Sequence, residues 1–198
     1  MKDRHLNYIK LNTDVIPTAN IIETNWHVLT GAVCCGKTTT IDLLAERGFQ
    51  TAPETARQFI DRELAQGKQL HEIIGMDDSE KRIVEMQDEL ERGLEQDALI
   101  FLDRSLLDSI TFYRLHGYNP NYFLGTCCRY RYASVFILDL LPLELDGARL
   151  ENKIYTTVLD DWLERDYTAL GYRVERVPVM SRDERVDFIL DRVNEKWL

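Results

Sequence analysis

Gly31-Ala32-Val33-Cys34-Cys35-Gly36-Lys37-Thr38 spells G-x-x-x-x-G-K-[ST]. The pattern constrains the fold because such a loop works only between a buried strand and a helix. Both flanks are present. Trp26-His27-Val28-Leu29-Thr30 reads as a short buried strand. Residues 39–47 carry Ile41, Leu43, Leu44 and Ala45 at helical spacing, and Gly48 stands where a C-terminal cap glycine belongs. Four specified positions match by chance in a chain this long with odds on the order of one in a hundred. The matching flanks lower those odds further.

The loop predicts binding of the triphosphate end of a nucleotide with Mg²⁺. A Gly-rich turn entering a helix aims several backbone N–H groups at one spot, and the helix dipole adds positive charge there. Residues 31–39 (Gly31, Ala32, Val33, Cys34, Cys35, Gly36, Lys37, Thr38 and Thr39) form the expected cradle. Lys37 is expected at the β- and γ-phosphates and the Thr38 hydroxyl on the metal. No base-contacting motif separates ATP from GTP. Cys34 and Cys35 satisfy the loop's need for small side chains. A sharper reading is that their oxidation or alkylation blocks the nucleotide, since thiols near helix N-termini ionise readily.

Composition narrows the partners. The 198 residues carry a net charge of −10. An acidic chain without a basic run is a poor ligand for nucleic acid or for an anionic membrane surface. The charged start, Met1-Lys2-Asp3-Arg4-His5, has no apolar run behind it and predicts no secretory leader. The longest apolar stretch, residues 133–145, is broken by Asp139 and Pro142, short of a membrane span. The cysteines fall in two adjacent pairs, Cys34-Cys35 and Cys127-Cys128, without zinc spacing. Reduced thiols in the cytoplasm are the expected setting.

Residues 1–24 read as an N-terminal extension and 25–198 as one domain. Strands are predicted over 49–52, 98–102, 134–138 and 172–179. Helices are predicted over 54–66, 79–97, 106–116, 153–170 and 181–197, with a polar loop at 142–152. Alternating strands and helices imply an α/β three-layer sandwich with a central parallel sheet, and ligands beyond the strand C-terminal ends.

Those ends carry the remaining candidates. Asp103 closes an apolar strand, the place of a Mg²⁺-coordinating Asp; the alternative is a helix cap by Asp103 or Ser105. Arg104 follows and is expected to reach a phosphate. In Pro53-Glu54-Thr55-Ala56-Arg57, Glu54 is a candidate general base and Arg57 a clamp on the acceptor. The alternative is a first-turn Glu paired with Arg57 on the surface. In Asp146-Gly147-Ala148-Arg149, a lid would bring Arg149 onto the phosphates; a plain turn is the alternative. Arg129, Arg131 and Arg165 are further lid candidates, with surface roles as the alternative. Asp139 is a candidate near the metal, or a cap.

Taken in order, these motifs resemble one family. The phosphate loop, P-E-x-A-R at 53–57, F-L-D-R-S-x-x-D at 101–108, Y-R-L-H-G at 113–117, D-G-x-R at 146–149 and L-G-Y-x-V-x-x-V-P at 170–178 together resemble the AAA-type P-loop domain shared with the nicotinamide-riboside kinase part of NadR. The likeness spans residues 25–192. It implies a nucleoside- and nucleotide-kinase-like P-loop fold, with Glu54 near the acceptor and Arg149 in a lid. Asp103-Arg104-Ser105 is also similar to the D-R or E-R-S element of deoxynucleoside and thymidylate kinases. The Cys34-Cys35 pair departs from the Gly, Pro or Ser usual in such loops. The acceptor-binding residues of the nicotinamide-riboside kinases do not align, which leaves the acceptor open. Three functions follow: phosphoryl transfer from ATP to a small hydroxylated, nucleoside-like acceptor; hydrolysis of ATP or GTP; or a non-catalytic nucleotide-dependent binding module.

Overall fold

A computed structural model describes residues 8–16, 21–74, 78–141 and 150–195. Among them the chain runs β1 (Ile22–Glu23), β2 (Trp26–Thr30), α1 (Lys37–Glu46), β3 (Gln50–Ala52), α2 (Thr55–Ala65), α3 (Leu70–Ile74), α4 (Ser79–Arg92), β4 (Ile100–Asp103), α5 (Leu106–Leu115), α6 (Leu124–Cys127), β5 (Tyr130–Arg131), β6 (Ser134–Leu138), α7 (Leu150–Ala169), β7 (Val174–Val177) and α8 (Arg182–Glu195). Five strands form one sheet in the order β3-β4-β2-β6-β7. Every pairing in it is parallel. This is the expected α/β sandwich with its central parallel sheet.

The apolar runs explain the layers. Successive side chains of a strand face opposite ways, so a run without alternation is buried on both faces. Val28, Ile100, Leu102, Val135 and Ile137 pack into one core with Ile110 of α5 and Leu159 and Leu163 of α7. Their neighbours Leu29, Phe101, Phe136 and Leu138 pack into a second core with Ile41 and Leu44 of α1 and Val186, Ile189 and Val193 of α8. Each such side chain contributes about 1.5–3 kcal/mol on burial. With both faces covered, the open ends of the strands are left for chemistry.

Several boundaries differ from expectation: β4 begins at Ile100, α7 begins at Leu150 inside the expected polar loop, and two others have causes in the contacts. Helix α4 stops at Arg92 instead of running to Asp97. The chain beyond it is recruited as a turn under β2, where Trp26 Nε1 donates to the Glu95 carbonyl at 3.0 Å and Asn25 N to that of Gln96 at 2.8 Å. The last strand begins at Val174, not Tyr172, because Tyr172 N still closes the end of α7 on the Tyr167 carbonyl at 3.0 Å.

The described part of residues 1–24 is tied to the domain. β1 pairs in parallel with β5. Leu11 is buried. Arg114 Nε donates to the Ile9 carbonyl at 2.8 Å, and Tyr8 donates to Asp166 at 2.8 Å. Arg114 and Asp166 form a buried ion pair between α5 and α7.

A second buried carboxylate joins three elements. Glu91 of α4 is fully buried and accepts from Gln87 Nε2 (2.9 Å), Leu106 N (2.8 Å) and the Tyr132 hydroxyl (2.7 Å). Burial pushes its carboxyl up to about 7 despite these donors. A raised folded-state value means the native protein holds a proton that the unfolded chain has lost. The associated stabilisation is therefore complete below the unfolded value and lost as pH rises through about 7. Glu91→Gln is expected to flatten this fall in unfolding free energy between pH 5 and 7.5, read by denaturant titration at each pH; an unchanged slope would show that Glu91 is not its source.

Candidate functional site

The phosphate loop leaves β2 at Thr30 and enters α1 at Lys37. Gly31 turns at φ +138°, and a side chain there would meet the Leu138 carbonyl oxygen at 2.8 Å, so the position demands glycine. Cys34 holds φ +63°, a left-handed conformation that costs a non-glycine residue about 1–3 kcal/mol. Helix α1 has no acidic residue in its first turn and no side-chain cap. Its first N–H groups are thus left for an anion. Lys37 is buried and folded back on the loop, donating to the Ala32 carbonyl at 2.8 Å and the Gly31 carbonyl at 3.2 Å. Burial and then the nearby Arg104 charge lower its pKa.

Strand β4 lies beside β2 with Leu29 opposite Asp103, which sets that carboxylate next to the loop. Thr38 Oγ1 donates to Asp103 Oδ2 at 3.1 Å. Asp103 Oδ1 is buried and lacks a hydrogen-bond partner among the described residues. The cap reading belongs to Ser105 alone, which accepts from Leu107 N and forms a capping box with Asp108. Asp103 caps no helix and keeps Oδ1 unbonded among the described residues. Burial, followed by the Glu54 charge, raises its carboxyl to about 6. A hydroxyl and an orphaned carboxylate oxygen side by side form the hard-oxygen set that Mg²⁺ takes alongside nucleotide phosphates. The residues fit the ion.

Arg104 adopts φ +70°, again left-handed. This turn at the strand end sends Asp103 and Arg104 to different partners. Arg104 Nε donates to Glu54 Oε1 at 2.8 Å, NH1 donates to Asp108 Oδ1 at 3.2 Å, and the guanidinium lies over the Phe112 ring at 4.9 Å. Burial opposes its charge, but Asp108 and Glu54 overcome that and raise its pKa. Asp108 is the hub, accepting also from Thr30 Oγ1, Ser105 N (2.9 Å) and the Tyr167 hydroxyl (2.7 Å). Nothing in its spacing marked it beyond its place in a motif.

Beside this network a cavity of about 460 Å³ opens next to Val33 at the loop tip. Its size falls within the range of small-molecule sites. Glu54, Arg104, Asp108 and Gln87 supply polar groups, and Phe59, Ile60, Ile83, Phe112 and Tyr155 supply apolar wall. Gln87 is held by accepting from Thr55 Oγ1 at 2.6 Å while donating to Glu91. The wall residues were legible only as helix faces, because α2, α4, α5 and α7 converge here from distant parts of the chain.

The sequence candidates sort by place. Lys37, Thr38, Glu54, Asp103 and Arg104 converge: Lys37 and Asp103 each feel the charges of Glu54 and Arg104. Arg57 does not join them. Its side chain is exposed and pairs with Asp61 at 3.1 Å, one turn further along α2, so it clamps no acceptor here. The surface pairing of Glu54 with Arg57 is replaced by the pairing with Arg104. Arg149 and the D-G-x-R loop lie outside the described residues. Arg129 pairs with Asp88, Arg165 with Asp161, and Asp139 with Arg176. Arg131 donates to the carbonyls of Leu170 and Gly171.

A family model described as an AAA domain matches residues 26–185. No curated protein matches the chain in sequence. Among solved structures, the chain is similar to the NadR protein in complex with NR, with TM-score 0.63 and 17% identity over 87% of this chain and 50% of that one. It thus spans about half the length of that NadR chain. It is also similar to thymidylate kinase from Ehrlichia chaffeensis (TM-score 0.61, 15% identity, 86% of this chain and 98% of that one). A third likeness is to deoxyadenosine kinase from M. mycoides (TM-score 0.56, 16% identity, 86% and 98%). The shared fold is that of P-loop nucleoside and nucleotide kinases.

Two outcomes test the loop. Cys34 is exposed and Cys35 buried. Iodoacetamide is expected to label Cys34 in the native protein and Cys35 only after unfolding, with saturating Mg–ATP protecting Cys34, as read by peptide mass spectrometry. Lys37→Ala is expected to remove calorimetrically detectable Mg–ATP binding, since charge-assisted contacts to phosphate are worth about 1.5–3 kcal/mol each. Wild-type affinity in that variant would sink the loop assignment.

Proposed function

This chain belongs to the AAA domain family of P-loop proteins, and from that premise we propose that it transfers a phosphoryl group from ATP to a hydroxyl of a small, nucleoside-like acceptor. One observation carries the reading: a cavity with an apolar wall and a carboxylate in its lining adjoins the phosphate loop. Hydrolysis needs only a water position, and a binding module needs no such chamber.

In this reading the loop N–H groups and Lys37 hold the ATP phosphates, Lys37 having left the Gly31 and Ala32 carbonyls. Thr38 and Asp103 hold Mg²⁺, which when bound neutralises phosphate charge. The cavity wall grips the ring portion of the acceptor and excludes water. Glu54, oriented by Arg104, accepts the proton of the acceptor hydroxyl as its oxygen bonds the γ-phosphorus and the bond to the ADP oxygen breaks. The product is a phosphate ester and ADP. Arg104 is fastened to two carboxylates, so its first task is to orient Glu54. Catalysis is then positioning and charge neutralisation without a covalent protein intermediate. The NadR, thymidylate kinase and deoxyadenosine kinase likenesses support an acceptor of nucleoside or nucleotide shape. Among the described residues no helix is long and apolar enough to cross a membrane. The expected reduced cysteines and an ATP substrate support a cytoplasmic setting in this proposal.

The test is ADP formation against a panel of nucleosides, nucleotides and small alcohols. Stimulation by one of them is expected; acceptor-independent turnover would make the protein an NTPase, and none at all a binding module. Glu54→Gln is expected to keep ATP affinity and lose transfer by roughly a hundredfold or more, the usual share of a general base. Retained transfer would reduce Glu54 to a helix-start residue.

A further inference from the structure

Arg185 belongs to none of the motifs and lies 150 residues from Cys35 in the chain, yet its NH1 donates to the Cys35 carbonyl at 3.0 Å. It is only 6% exposed. Its helix is fixed in place. Val186, Ile189 and Val193 pack in one core with Ile41 and Leu44 of α1. At the far end of α1, Arg47 pairs with Asp183 at 3.2 Å and with Asp187.

Two features of this contact go beyond packing. The first is directional. In a trans peptide the carbonyl and the following N–H point opposite ways. Drawing the Cys35 carbonyl outward toward Arg185 therefore turns the Gly36 N–H inward, into the phosphate cradle. Gly36 holds φ +91°, and a Cβ there would lie 2.5 Å from Arg185 NH1. The guanidinium occupies the space that any other residue at 36 would need. The second is charge. Among the described residues, Arg185 Nε is buried without a hydrogen-bond partner, and no carboxylate lies within ion-pair distance of the guanidinium. A buried, unneutralised cation is costly unless a ligand supplies the counter-charge.

We propose that Arg185 is a positioning residue of the donor site: it aims the Gly36 N–H at the nucleotide phosphates, and those phosphates balance its charge. This rests on the donor half of the proposed function and is independent of the acceptor.

The experiment compares binding of Mg–ATP and of Mg–tripolyphosphate, which has no base or sugar, by calorimetry on the full chain. Arg185→Met keeps the volume and removes both charge and donor. It is expected to weaken both ligands equally, by roughly tenfold, the worth of one charge-assisted hydrogen bond. Arg185→Lys keeps the charge without the directional fork and is expected to recover part of the loss for both. It also supplies the reading should Arg185→Met not fold, then as an equal, smaller loss for both ligands against wild type. Loss confined to ATP would overturn the proposal, because Arg185 would then serve the nucleoside end. Unchanged affinity for both ligands would overturn it as well. If the wild-type protein binds neither ligand, the donor-site reading falls and takes this one with it; a wild type that binds both but transfers to no acceptor leaves it standing.

Discussion

The pairing of β4 beside β2 is the constraint from which the site follows. Parallel register with Leu29 opposite Asp103 ends both strands at one level. The phosphate loop leaves one strand there and the Asp103-Arg104-Ser105 segment leaves the other. Parallel sheets oblige every strand to return by a crossover, so both faces fill with helices. Here the two cores alternate residue by residue along Ile100-Phe101-Leu102 and Val135-Phe136-Ile137. At the sheet rim beside the loop, polar side chains from neighbouring strands meet, Thr30 of β2 and Asp103 of β4 among them.

At that rim a buried cation organises the side that faces the cavity. Arg104 is held between Glu54 and Asp108, and Asp108 is held by donors from β2, α5 and α7. Removing one partner from such a buried network leaves an uncompensated charge, at a cost of about 3–5 kcal/mol. The left-handed backbone at Arg104 is the local strain this network sustains. Its gain is orientation. Glu54 faces the cavity in a set position instead of sampling the surface with Arg57. On the donor side Arg185 plays the matching part, acting on the loop backbone from α8.

Legibility in the sequence tracks the range of the interactions. The phosphate loop, α1 and the buried strands are local patterns, and β2 and β6 fall on their expected residues. Asp103 was visible as a strand-end carboxylate. Which residue caps α5 waited on seeing Ser105 take that place, with Asp103 Oδ1 unbonded among the described residues. Glu54 and Arg57 looked equivalent one turn apart. Helix α2 turns one inward to Arg104 and the other outward to Asp61. The overlong reading of α4 failed because Gly93 caps the helix and the turn after it, at Glu95 and Gln96, answers to Trp26 and Asn25 rather than to helical propensity.

The sequence by itself determined that this chain is an α/β protein with a P-loop, that Lys37 and Thr38 stand where that loop enters its helix, and that Asp103 stands at a strand end. Those are statements about short windows, where periodicity and backbone geometry suffice. Tertiary structure alone decided the cavity beside the loop, the pairing of Arg104 with Glu54 and the contact of Arg185 with Cys35. Each joins residues tens to more than a hundred positions apart. Such contacts are set by how helices pack across the sheet, and no local pattern encodes that packing.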